Sequence, residues 1–279
     1  MPLPATKDLP SAYGRSLVVV AMGVALVSGC GAAEEAPGPS SQAAGGESSE
    51  PEQTGDGDAT IAGAELGRLM LDAMTAAGTA SFTGETSAEG GGTTTEGVLR
   101  IEAAGTSMRA ATQVQGTTVE VVLLPDGAYV STGDTGDGRP WTRVDAASPD
   151  PTAAAMGQFL ETFRTASDPR SSAEVFRQSG DFTVVGPEQI EGVATTRYRG
   201  AVPPQALLSS FPEEMRARLE PLLGTEPFGV EIWMDDEGRP LRFVQSTTLQ
   251  GREATSTQTF SGWGEPVEIQ APPADQIDE

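Results

Sequence analysis

VEIWMDDEGRPLRFVQS, residues 230–246, places Val230, Ile232 and Met234 at every second position, with Glu231 between them and Asp235 beyond. Phe228 extends the apolar series upstream. A period of two is the pattern of a strand with one face buried. Asp236-Glu237-Gly238 supplies turn chemistry, and Leu241 and Phe243 then resume the alternation. A reversal this short between two such runs makes them antiparallel neighbours. A third run, REATSTQTFSGW (252–263), follows Gly251 and extends the meander.

The same pattern governs the first half of the chain. SFTGETSA (81–88), EGVLRIEA (96–103), MRAATQV (108–114), TVEVVLL (118–124), AYVSTG (128–133) and PWTRVD (140–145) are separated by short Gly-, Pro- and Asp-containing connections. Two further strands, DFTVVG (181–186) and VATTRYRGAV (193–202), join through Ile190-Glu191-Gly192. Helical periodicity appears over 61–77, where Leu66, Leu69, Met70, Ala73 and Ala77 form a stripe that Gly78 ends. Asp150-Pro151 opens a second helix carrying Met156, Phe159, Leu160 and Phe163. Ser171-x-x-Glu174 reads as a capping box for a short third helix with Val175 and Phe176. Pro203-Pro204 starts helical segments bearing Leu207, Leu208 and Phe211, then Met215, Leu219, Leu222 and Leu223, stopped by Gly224. About ten or eleven strands are more than an open twisted sheet sustains without curling. The expected fold class is therefore α+β: a curved antiparallel sheet, or half-barrel, with helices packed in its concave face.

The chain has 279 residues, 40 of them acidic and 17 basic. Seven acids lie in 31–58 and five in 265–279, neither of which holds a basic residue. Such a balance argues against nucleic acid as a partner, because phosphate contacts need cations. Upstream, Leu17–Val27 is apolar but shorter than the roughly 20 residues needed to span a bilayer. It follows Lys7 and Arg15 and precedes Ser28 and Gly29, the layout of a signal peptide. Residues 31–58 contain no aromatic or long aliphatic side chain and read as a tether that cannot offset its ordering entropy. The expected organisation is a signal peptide over 1–29, an anchor and tether over 30–58, a folded domain over 59–265 and an acidic tail over 266–279.

Val27-Ser28-Gly29-Cys30 resembles the lipobox of bacterial lipoproteins, in which the cysteine is acylated and becomes the mature N-terminus. With the acidic tether, one N-terminal helix, a meander, a helical middle, the pair GPEQIEGVATTRYRG (186–200) and the opening stretch, the chain resembles actinobacterial lipoproteins of the LppX/LprG type. The resemblance implies a LolA- or LolB-like unclosed barrel whose helix-lidded cavity accepts acyl chains. It further implies an envelope lipoprotein anchored through Cys30 on the extracytoplasmic face of the cell membrane. Its ligand would be a lipid or lipoglycan, its partner an envelope transporter, and its state monomeric. A different class stays open: an interaction or sensory lipoprotein that engages an envelope protein with no lipid inside.

The chemistry available is narrow. There is no histidine, Cys30 is the only cysteine and Lys7 the only lysine, so neither His-dependent nucleophile activation nor His-ligated metal sites can be built. No catalytic residue, metal or cofactor is expected. Gly133–Gly138, with Asp134 and Asp137, lacks the later bidentate glutamate of a calcium loop and reads as a hairpin connection. Trp141 reads as a packing residue. The candidates for ligand contact come from alternation alone: Leu99 and Ile101; Val119, Val121 and Leu123; Val230, Ile232 and Met234; Leu241 and Phe243. The helices add Phe159, Leu160 and Phe163, then Leu207, Leu208, Phe211, Met215 and Leu219. The same pattern serves a filled core or a hollow one.

Overall fold

The computed structural model describes residues 19–21, 24–26, 59–88, 91–114, 116–133, 138–145, 147–149, 151–209, 211, 213–249 and 252–278. Cys30, the tether 31–58 and Asp134 to Asp137 lie outside them. Within the apolar N-terminal run, Val19–Ala21 and Val24–Leu26 pair as a separate two-stranded antiparallel sheet. Among the described residues no helix is long and apolar enough to cross a membrane.

The domain begins with β1 (Thr60–Ala62) and α1 (Gly63–Ala77), followed by a six-strand meander: β2 (Thr79–Ala88), β3 (Gly91–Glu102), β4 (Gly105–Val114), β5 (Thr117–Leu124), β6 (Gly127–Ser131) and β7 (Trp141–Val144). Helices α2 (Pro151–Ala166) and α3 (Pro169–Arg177) come next, then β8 (Asp181–Ile190), β9 (Val193–Val202), α4 (Pro204–Leu208) and α5 (Glu213–Leu223). The chain finishes with β10 (Phe228–Met234), β11 (Pro240–Leu249), β12 (Arg252–Ser261) and β13 (Ile277–Asp278). All thirteen strands form one open sheet, in the order β13-β7-β6-β5-β4-β3-β2-β12-β11-β10-β9-β8-β1. Every pairing is antiparallel except β13 with β7.

The expected half-barrel is therefore present, with two strands more than periodicity showed. The additions are β1 and β13, which at three and two residues are too short to display a period. Of the acidic stretch, Val267, Ile269 and Ile277 pack with Val122, Tyr129 and Trp141 on the outer face of the sheet. Trp141 is buried there as a packing residue.

Helix starts and stops follow their local chemistry, with one correction. Helix α3 opens before Ser171: Asp168 is its N-cap, accepting a hydrogen bond from the Arg170 amide at 2.9 Å, and Pro169 is its first residue. Glu174 does not reach back to close a capping box. It accepts from Arg177 Nε and Gln178 Nε2 one turn on, both at 2.7 Å, and its carboxyl is lowered to about 2, chiefly by the Arg177 hydrogen bond. Gly78 ends α1 at φ 78°, a left-handed turn that a side chain would strain.

Glycine also sets how closely α1 approaches α3. A Cβ on Gly67 would lie 2.9 Å from Phe176 Cβ and 3.1 Å from the Ala173 carbonyl oxygen. The contact carries Leu66 and Met70 of α1, with Val175 and Phe176 of α3, into the same core.

The outward face of the C-terminal strands is polar and cross-linked. Glu231 accepts from Arg197 Nη2 and Arg199 Nε, each at 2.7 Å. The Arg197 and Arg242 guanidinium carbons lie 4.9 and 5.3 Å from the centre of the Trp233 ring, whose Nε1 donates to Glu188 at 2.8 Å. Asp235 ties the β10–β11 turn, accepting from the Glu237 and Arg239 amides and from Arg239 Nε. It is buried there, and the hydrogen bond it accepts raises the Arg239 pKa above its ordinary value.

Two outcomes test this account. Gly67→Ala should lower the urea midpoint: overpacking at such contacts costs about 1–3 kcal/mol, against a helix-propensity gain of about 1 kcal/mol. A higher midpoint would mean that α1 and α3 do not meet this closely. Glu231 yields a pH test. Burial raises its carboxyl, but the hydrogen bonds and charges of Arg199 and Arg197 outweigh that and hold it below the ordinary value of 4.5. A depressed carboxylate contributes stability above its unfolded pKa and loses it as pH falls through the folded one. The melting-temperature deficit of Glu231→Gln should thus be full at neutral pH and shrink in acid. A deficit independent of pH would contradict the pairing.

Candidate functional site

Directly paired residues of an antiparallel sheet share a face, so the register places the candidate side chains in rows across the sheet. One row runs Ala128, Leu123, Met108, Leu99 and Ala80. The next runs Val130, Val121, Ala110, Gly97, Phe82 and Phe260. A third joins Val119, Thr112, Thr95, Gly84, Gln258, Phe243, Ile232 and Tyr198. These rows form the face covered by the helices.

From the helical side, Leu66, Met70 and Met74 of α1 join the core, with Phe176 of α3 and Leu160 of α2. Leu207 and Leu208 of α4 and Leu223 of α5 complete it. Phe176 meets Phe182 edge-on at 5.4 Å and Phe243 at 6.3 Å, so α3 is keyed to both β8 and β11.

Most of the residues selected by alternation meet in this one cluster. Leu99, Ile101, Leu123, Leu160, Leu207, Leu208, Val230, Ile232 and Met234 are buried in it. Val121, Phe159, Phe163, Leu219 and Phe243 are half-buried against it. Four stand apart. Val119 is half-buried at the far end of the third row, and Met215 is half-buried on α5. Phe211 is buried between α4 and α5, outside the cluster. Leu241 is buried where the β10–β11 register shifts, between Trp233 opposite Arg242 and Met234 opposite Pro240.

Sequence reading missed Phe82, Phe260, Met108 and Tyr198. Phe82 is the sole large apolar residue of 81–88, and Phe260 follows the run 252–259 that holds none, so no alternation marks them, yet both are 4% exposed. Their signal is parity: Phe82 lies two residues from the buried Ala80, and Phe260 is its direct partner.

Elsewhere, a cleft of about 180 Å³ lies by the C-terminal end of α1, where Ala73 and Ala77 meet Arg239 and Trp263. None of the candidate residues lines it. Among the described residues, no three His, Cys, Asp or Glu side chains converge as a metal site would require.

Comparison with known proteins places the chain. Among solved structures it is similar to lipoprotein LppX of Mycobacterium tuberculosis, at 17% identity and a TM-score of 0.49, covering 75% of this chain and 98% of that one. It is similar also to LprF of Mycobacterium bovis, at 16% identity and a TM-score of 0.48, covering 75% and 97%. A relative in Streptomyces griseus, described as an uncharacterized 31.2 kDa protein in the rplA-rplJ intergenic region, is 25% identical over 177 residues. That match takes in 57% of this chain and 56% of the relative, little more than half its length. The family model described as LppX_LprAFG lipoprotein matches residues 91–269, more than half of the sequence. The chain belongs to the LppX_LprAFG lipoprotein family.

Proposed function

We propose that this protein is an envelope lipoprotein that binds the acyl chains of a lipid or lipoglycan against the inner face of its sheet and carries or presents them across the cell envelope. The observation that supports this most directly is the pairing of apolar rows across an open sheet, from Ala128 through Leu99 to Ala80 and from Val121 through Phe82 to Phe260, with five helices contributing to the covering layer. An acyl chain is a flexible apolar rod with no hydrogen-bonding need along its length, and an apolar face supplies what it requires. The ligand would lie between the strand residues Ile101, Val121, Val230 and Phe243 and the helix residues Phe159, Leu208 and Leu219.

In this reading Cys30 carries the lipid anchor, residues 31–58 lift the domain from the extracytoplasmic face of the membrane, and the domain acts as a monomer. Two acyl chains at about 0.8 kcal/mol per buried methylene hold a protein firmly. The function is binding, not turnover. An envelope transporter is the partner that would load or receive the lipid.

The cavity is tested by filling it. Val121→Trp and Val230→Trp should fold with modest loss of melting temperature and lose retention of a fluorescent fatty acid or diacyl lipid. If the wild type retains no acyl probe and both variants melt far lower, the interior is a packed core and the non-lipid interaction reading takes over. The anchor is tested by metabolic labelling with an alkyne fatty acid. Label should enter the wild type and be absent from Cys30→Ala; equal labelling would rule out acylation at that residue.

A further inference from the structure

The apolar run that precedes Cys30 does not stand apart from the domain. Its two strands pair with each other, from Val19 opposite Leu26 to Ala21 opposite Val24. A lone two-stranded hairpin is marginal in water and needs a surface to pack on. The fold supplies one: Val19–Ala21 lies against α2, and Val24–Leu26 lies against β12.

Topology decides which surface this is. β12 stands in the middle of the sheet with β2 on one side and β11 on the other, so both its edges are taken and the hairpin can meet it only through a face. α2 sends Leu160 into the core on the inner face. A hairpin that touches both α2 and β12 therefore stands on the inner face. Burial along β12 agrees: counting back from Phe260 along the same face, Gln258 is 9% exposed and Ala254 8%. Phe159 on α2, and Phe243 directly opposite Gln258, are two of the residues assigned above to the acyl chain.

The chain between Val27 and Ala59 can span the required distance. β1, where the domain begins, is five strand spacings from β12, about 24 Å. Ten extended residues alone reach about 33 Å. The chemistry suits the place as well. An acyl chain and an apolar peptide ask the same of a surface, apolar area without direction or charge. Leu17 to Val27 contains no charged and no hydroxyl-bearing side chain.

We propose that the apolar segment 17–27 is an autoinhibitory occupant of the acyl site: while it stays attached the chain fills its own site, and its removal opens it. The inference rests on the lipid-binding and lipobox readings above. Removal is hydrolysis of the Gly29–Cys30 peptide bond by a signal peptidase, water giving its hydroxyl to the Gly29 carbonyl and its remaining hydrogen to the Cys30 amine. The precursor is thereby kept from loading lipid before it is anchored. Covalent attachment gives the occupant an effective concentration of about millimolar order, so a dilute acyl probe competes poorly.

The test compares full chains that keep the segment with the processed protein. Cys30→Ala, its intact mass showing that residues 1–29 are retained, should hold a fluorescent fatty acid about tenfold or more weakly than the processed wild type. Adding Val20→Asp and Ala25→Asp to it should restore retention, because an apolar site rejects carboxylates. Adding Ala32→Asp and Ala43→Asp instead, the same charge placed in the tether, should leave retention weak. A benzophenone side chain replacing Ala25 in the Cys30→Ala chain should photo-crosslink to 151–166 or 252–261, a readout that needs no lipid. Equal retention by Cys30→Ala and the processed wild type, or crosslinks outside those two elements, would overturn the occupancy alone. A processed wild type that retains no probe would overturn the lipid-binding reading and the occupancy with it.

Discussion

An open sheet of thirteen strands commits its side chains to two continuous faces, and each face must find its own cover. The rest of the structure depends on how that requirement is met. On the inner face the cover is helical, and α1 can approach α3 closely because Gly67 presents no side chain where Phe176 and Ala173 come within contact distance. On the outer face of β5–β7 the cover is the C-terminal segment, whose Ile269 is 3% exposed against Val122 and Trp141. Where the outer face has no segment over it, the strands bear Arg197, Glu231 and Arg242 instead, and Trp233 is buried beneath guanidinium groups.

Much of this was legible in the sequence because the sheet is regular. The β2–β5 and β11–β12 pairings run without a register shift, so alternation read at Leu99, Val121 and Phe243 carries across neighbours without changing face. It failed where local chemistry competed with period. In TVEVVLL, Val122 breaks strict alternation and belongs to the outer cluster, a position that only makes sense once the C-terminal segment is seen lying over it. Leu241 sits at a bulge, where two-residue counting loses its meaning. Ser171-x-x-Glu174 imitates a capping box, but Asp168-Pro169 three residues earlier is the stronger start signal: the aspartate satisfies an amide and the proline needs no hydrogen bond. The candidate site was legible as a face. Its depth was not, since alternation reports which side a residue takes and says nothing about what stands opposite.

The distribution of charge follows the same division. The chain is rich in carboxylates, yet those of the C-terminal strands lie on the outer face or in turns, as with Glu231 and Asp235. Asp235 is buried because it serves the turn: it gathers the Glu237 and Arg239 amides and the Arg239 side chain, so that Gly238 can reverse the chain at φ 83°. Burying a charge at that cost is reasonable only where several hydrogen bonds converge on it. No comparable set of donors faces inward along the central rows, which is why those positions hold threonine and glutamine in place of acids.

The inner face therefore carries a direction. Helical side chains and the row from Ala128 to Ala80 close its apolar end into a continuous core, and the threonine and glutamine rows lie beyond the phenylalanines.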